Sequence, residues 1–242
     1  MNIDELSSQL IFEASTLDLS LSESESHQLI KYLLLVIEKN KVLNLTRIID
    51  PVDGIRRHLI DSLLFNKFIN NNGKLIDIGT GAGFPGIPIA LTNRLEKVIL
   101  LDSVAKKIRA VNEFLPQLEF NDSVSAISER VETYSKAHKS EFQFVCARAV
   151  ASLNTLIEYA TPLLCKNGIL IASKGNLSDK EFADADIAAN LCGLICVSRE
   201  TFELPEASGH REFVIYQKVN KSKIKLPRRI GLAKHQPLSN KQ

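Results

Sequence analysis

The segment Leu75 to Gly86, LIDIGTGAGFPG, restricts what this chain can fold into more than any other. A short apolar run bounded by turn residues reads as a strand. Three glycines at Gly79, Gly81 and Gly83 follow at once, which calls for a tight turn with backbone exposed to a close neighbour. Such a turn after a first strand suits an adenosine-containing ligand, because the missing side chains admit it and the next helix supplies its N-terminus.

The rest of the chain is organised around that segment. Before Gly73 the apolar residues recur at helical spacing: Leu29, Leu33, Val36 and Ile37 form a stripe behind the helix-start chemistry of Ser20 to Ser26, and Ile55 to Ile69 puts Leu59, Leu63 and Phe68 near one face. These predict a helical N-terminal unit over residues 1–72, ending at the turn Asn70-Asn71-Asn72-Gly73. From Lys74 short apolar runs alternate with helical stretches. Strands are expected at Leu75–Ile78, Val98–Leu101, Val124–Ile127, Phe142–Cys146, Ile169–Ala172, Leu194–Phe202 and Phe213–Gln217. Helices are expected at Ile87–Thr92, Lys106–Leu115, Leu153–Leu164 and Lys180–Ala189. The fold class is therefore α/β, a doubly wound, mostly parallel, seven-stranded Rossmann-like sheet over residues 73–219. The last two strands have only a loop between them and should pair antiparallel.

Two glycine registers overlap. Gly81, Gly83 and Gly86 spell GxGxxG, and Asp102 lies near the distance at which a dinucleotide enzyme keeps its ribose-binding acid. That register starts two residues late, and Asp77 would face a phosphate. The register GxGxG beginning at Gly79, with Asp77 at the strand end, suits a cationic amino-acid cofactor such as S-adenosylmethionine (AdoMet), whose ammonium a carboxylate attracts. Asp102 at the end of the second strand can accept from both ribose hydroxyls; Asp102 or Ser103 could equally cap the helix that follows.

Charge is unevenly spread. Residues 1–30 hold six acids and no Lys or Arg, whereas the chain beyond Glu212 holds eight bases and no acid. A basic C-terminal tail over residues 220–242 could meet a polyanion or simply be solvated. Cys146, Cys165, Cys192 and Cys196 sit in apolar surroundings and read as small core residues, and Cys192 with Cys196 lacks the neighbours of a metal site. No metal is expected. The acidic start and the short apolar run Tyr32 to Ile37 match neither a signal peptide nor a membrane span, which points to the cytoplasm.

Several segments together resemble one family, the bacterial 16S rRNA guanine-N7 methyltransferases (RsmG, glucose-inhibited division protein B). They are NKVLNLT (Asn40 to Thr46), RHLIDSL (Arg57 to Leu63), DIGTGAGFPGIPIA (Asp77 to Ala90), LLDSVAKKI (Leu100 to Ile108), RVE (Arg130 to Glu132), ARAVASL (Ala147 to Leu153) and SKG (Ser173 to Gly175). The glycine segment alone indicates a superfamily; its FPGIP continuation and ARAVASL are more specific. Ala82 stands where many members have proline, and Val150 where many have phenylalanine. The tail, with Pro227-Arg228-Arg229, is similar to a C-terminal extension found in some members. The resemblance implies AdoMet contacts at Gly79, Phe84, Val131, Glu132 and Arg148, and 16S rRNA or the small ribosomal subunit as partner; a monomer is expected.

Guanine N7 carries a lone pair and no proton, so the reaction so implied needs positioning and no general acid or base. Arg57, Lys174, Arg211, Arg228 and Arg229 are the candidate phosphate contacts. His58 and Asp61, three residues apart on one helix, could bond one another. Two other functions are compatible with these residues: an AdoMet-binding ribosome-assembly factor, and a nicotinamide-dependent oxidoreductase.

Overall fold

A computed structural model of the chain describes residues 2–70, 72–120 and 123–239. Asn71 of the predicted turn and the last three residues of the basic tail lie outside them. Among the described residues seven strands form one sheet in the order β3-β2-β1-β4-β5-β7-β6. They are β1 (Lys74–Ile78), β2 (Lys97–Asp102), β3 (Val124–Ser128), β4 (Phe142–Arg148), β5 (Leu164–Lys174), β6 (Leu194–Leu204) and β7 (Gly209–Lys218). The first five are parallel; β7 runs antiparallel between β5 and the edge strand β6, as the missing helix between the last two strands predicts.

Helices cover both faces. Odd and even positions of β1 divide between them: Leu75 belongs to one apolar cluster and Ile76 to the other. Leu75 packs with Leu6, Leu29, Leu33 and Leu59 from the N-terminal helices α1 (Ile3–Ser15), α2 (Glu23–Leu43) and the 51–68 segment. The same side receives Ile87 and Val111 of α5 (Gly86–Thr92) and α6 (Ala105–Phe114). Ile76 packs with Tyr134, Leu156 and Ala188 of α7 (Val131–Ala137), α8 (Leu153–Ala160) and α9 (Asp179–Cys192). Strands covered on both sides read as continuous apolar runs, and for that reason they were legible.

Helix α2 starts as its serines predict: Ser22 and Glu25 form a reciprocal capping box. Residues 51–68 are less regular than their apolar spacing suggests. Helix α3 (Pro51–Gly54) continues as a π-helical turn over Ile55–Ile60, then α4 (Asp61–Leu63) and a 3-10 stretch over Leu64–Phe68. Three expectations are corrected. Helix α8 stops at Ala160 and β5 begins at Leu164, where helix was expected. Helix α7 lies where no helix was predicted, whereas α1 falls within residues 1–72, which were expected to be helical. Cys196 is exposed on the edge strand, whereas Cys146 and Cys192 are core residues and Cys165 is half-buried. The basic tail docks along α8 and α9 and carries one turn, α10 (Leu232–His235). Among the described residues no helix is long and apolar enough to cross a membrane, and no cluster of His, Cys, Asp and Glu could hold a metal ion.

Candidate active site

The turn after β1 is tied to the end of β2, since the amides of Gly79 and Thr80 both donate to the carbonyl of Leu101, at 2.7 and 3.1 Å. Gly83 is required twice over. Its φ is +109°, and a β-carbon there would lie 2.6 Å from Ile87 Cδ1 and 2.7 Å from the Tyr32 hydroxyl. Tyr32 reaches the turn from α2 and donates to the Ala82 carbonyl at 2.8 Å. The amide of Gly81 donates to Asp102 Oδ2 at 3.0 Å, and Val104 N donates to Oδ1 at 2.8 Å. Asp102 thus both braces the glycine turn and starts α6.

Asp77 is fully buried, and its Oδ2 accepts from Gly86 N at 2.9 Å, at the start of α5. Burial pushes its carboxyl up to about 6, against the opposing pull of its hydrogen bonds. The side chain therefore faces the helix start and not open space.

Beside the turn, at the carboxyl ends of the parallel strands, opens a cleft of about 230 Å³. Gly79, Asp102, Ser103, Val131, Glu132 and Val150 stand on its walls, whereas Asp77, Gly81, Gly83, Phe84 and Arg148 do not line it. Glu132 is buried and accepts the amide of Gly231 at 2.8 Å. Sequence reasoning missed Tyr159 and Lys234, which also line the cleft and lie in no motif.

A second pocket, about 350 Å³, lies on the other side of the β4 carboxyl end and gathers Arg57, His58, Asp61, Arg148, Lys174 and Arg211. Both cavities share one residue, Ala149, whose φ is +56°. Asp61 Oδ2 accepts from Arg148 Nη1 at 3.2 Å and from Arg211 Nε at 2.9 Å. Lys174 pairs with Glu181 at 2.8 Å. His58 and Asp61 do not bond one another: His58 Nε2 pairs with the Thr46 hydroxyl at 2.8 Å, and Asp61 Oδ2 is taken by Arg148 and Arg211. His58 stacks on Phe84 with ring centroids 4.5 Å apart. Burial and the nearby Arg148 guanidinium lower its pKa to about 3, so it is neutral around pH 7. His58 Nδ1, Asp61 Oδ1 and Ser173 Oγ are buried here without a hydrogen-bond partner, a pattern that accompanies ligand sites. Arg228 is not in this pocket. Its guanidinium forks onto buried Glu158, with Nε 2.8 Å from Oε1, and Arg229 is exposed on the tail.

A Rossmann-like sheet with the strand order above, a glycine turn after β1 and an acid ending β2 define the methyltransferase fold class. Solved structures share it. The chain superposes on TYW2 of M. jannaschii in complex with AdoMet with a TM-score of 0.52 at 16% identity, over 65% of this chain and 74% of that one. The [4+2]-cyclase SpnF gives 0.56 at 11% identity, over 80% and 93%, so this likeness fixes the fold alone. The family is decided by sequence: residues 25–210 match the model of GidB, rRNA small subunit methyltransferase G, and the chain belongs to that family. It is 37% identical over 241 residues to the ribosomal RNA small subunit methyltransferase G of Staphylococcus epidermidis, covering 98% of this chain and 99% of the relative. To that of Staphylococcus aureus strain Newman it is 34% identical, covering 93% and 95%.

Proposed function

We propose that this chain is an enzyme that transfers a methyl group from AdoMet to N7 of a guanine in 16S rRNA of the small ribosomal subunit. One observation carries the reading: a cleft with cofactor-type walls and a pocket rich in guanidinium groups meet at Ala149, where the two reactants would face each other.

The residues fit AdoMet. Asp102, held by two amides, keeps a carboxylate edge at the cleft for two ribose hydroxyls. Val131, Val150 and Gly79 offer apolar and backbone surface for adenine and the thioether chain. Bound there, AdoMet supplies an electrophilic methyl group. Gly79, Asp102, Ser103, Val131 and Glu132 are the contact residues in this reading; Asp77, Gly81, Gly83 and Phe84 hold them in shape, and Arg148 stands at the border of the two cavities.

On the acceptor side, Arg57, Lys174 and Arg211 attract phosphate, and Arg148 can donate to guanine O6. Guanine N7 needs no base, and His58 is held so weakly basic that it would be a poor one. Its stack with Phe84 instead packs the border against water. An unpaired base turned into the pocket is required, as RNA recognition of this kind commonly demands. We assign residues 1–72 to shaping the acceptor pocket, 73–219 to the cofactor and catalysis, and 220–242 to a docked extension.

Small subunits, their naked 16S rRNA and an assembly intermediate are each incubated with labelled AdoMet, and the RNA is cleaved chemically at 7-methylguanine. Label at a single cleavable guanine in one of these forms is the expected result. AdoMet binding with no label in any RNA would instead make the chain an assembly factor.

A further inference from the structure

Beyond β7 the chain does not leave the body. The amides of Val219 and Asn220 donate to the Gly193 carbonyl, and Lys223 N donates to Leu191 O. Leu226 and Leu238 pack on the apolar cluster under α8, where Ala233 is also buried. Side chains of α8 grip the backbone of the segment: Thr155 Oγ1 donates to Ala233 O at 3.0 Å and Asn154 Nδ2 to Leu238 O at 3.1 Å. Arg228, locked on Glu158, also donates to Gln236 O at 2.9 Å. Gly231, with φ +80°, turns the chain toward the cleft and gives its amide to Glu132 Oε1. Three residues later Lys234 stands on the cleft wall with Asp102 and Glu132. The segment itself, from Val219 to Leu238, lies outside residues 25–210, the stretch that matches the family model.

We infer that the segment from Leu226 to Leu238 is a wall of the cofactor cleft, and that Lys234 donates a hydrogen bond to the adenosine half of bound AdoMet. The inference rests on the AdoMet reading of the cleft. Charge alone does not choose the half, because an ammonium is repelled by the sulfonium and the amino group of AdoMet but attracted by its carboxylate, while adenine nitrogens and ribose oxygens accept from it without repulsion. Position chooses it: the turn that carries Lys234 is tied through the Gly231 amide to Glu132, and Lys234 lines the cleft together with Asp102, the acid read as holding the ribose. Lys234 is otherwise exposed, so its replacement disturbs little packing. Glu132, a contact residue of the cleft, also holds this wall in place through the Gly231 amide on its Oε1.

The test titrates AdoMet, S-adenosylhomocysteine and 5′-methylthioadenosine into the full chain and the Lys234→Ala variant by calorimetry. Loss of one hydrogen bond raises Kd by about three- to tenfold, and by the same factor for all three ligands, because they share the adenosine half. The melting temperature without ligand stays at that of the parent. Thr155→Val, which frees the Ala233 carbonyl without touching the cleft, shifts the three constants in the same direction. Unchanged affinities in Lys234→Ala overturn the inference, as does a loss seen only in RNA binding. If the full chain itself fails to bind AdoMet, the reading of the cleft falls first and the inference with it.

Discussion

Arg148 at the end of β4 and Asp61 of the N-terminal helical layer form an ion pair at 3.2 Å across 87 residues of sequence. Asp61 is nearly inaccessible and holds Arg211 through the same oxygen. One carboxylate therefore places two guanidinium groups from two strands while leaving the pocket net positive. Removing it strands both. Asp61→Ala is expected to cost about 3–5 kcal/mol in chemical denaturation, the scale of breaking a buried pair, and to lower methyl transfer more than AdoMet affinity.

Tyr32 links the helical layer to the glycine turn through its bond to the Ala82 carbonyl. Tyr32→Phe keeps the ring, which packs on Phe84 with centroids 4.9 Å apart, and deletes only the donor. A stability loss of about 1–3 kcal/mol follows from the unsatisfied buried carbonyl. AdoMet affinity should fall as well, measured by titration, since the turn loses its outer brace; an unchanged affinity would show that the turn needs no support from α2.

Asp77 has a folded pKa of about 6 against an ordinary 3.8. Its contribution is fully present below pH 3.8, where both states are protonated, and is lost as pH rises through 6, where the buried group must ionise. Asp77→Asn removes that dependence. Relative to the parent, the variant should gain about 3 kcal/mol between pH 4 and pH 7, read from denaturation midpoints at each pH. His58, lowered to about 3, gives a slope of opposite sign, with stability fully present above pH 6.5 and lost as pH falls toward 3. Comparing variant with parent at each pH cancels that slope. A difference independent of pH would mean that Asp77 is not charged and buried as described.

Arg57 and Arg228 separate phosphate binding from architecture. Arg57 is exposed at the basic pocket, so Arg57→Ala should weaken RNA binding and reduce the slope of log affinity against log salt by about 1. Arg228 pairs with buried Glu158, so Arg228→Ala should destabilise the fold by about 3–5 kcal/mol and leave the salt slope alone. A fluorescence-anisotropy titration at several salt concentrations, beside melting curves, checks both.

Local signals were legible wherever a residue's role depends on its sequence neighbours. The Ser22–Glu25 capping box, the glycine turn and the doubly covered strands could be read because caps, φ constraints and burial periodicity act within a few residues. The short helix α7 escaped, since Arg130 at its start gives no capping signal, whereas α5, of the same length, follows the glycine turn. The exposure of Cys196 escaped too, because an apolar strand does not reveal whether it lies at the middle or the edge of its sheet.

The candidate site divides in the same way. Gly79, Asp102, Val131 and Glu132 are at the cleft because strand ends are placed by the alternation of elements, which the chain spells out in order. Tertiary structure alone decided that Asp77 turns to Gly86, that Asp61 holds Arg148 and Arg211, that Arg228 is spent on Glu158, and that Lys234 returns to the cleft. Each of the ion pairs joins side chains from distant elements with several alternatives of the same charge nearby, so composition and spacing cannot rank them. By itself the sequence determined the sheet, the turn and the family, through short-range sterics and the burial of apolar surface. Packing chose the partners, since a buried charge must be met by whichever opposite group the finished fold brings within reach.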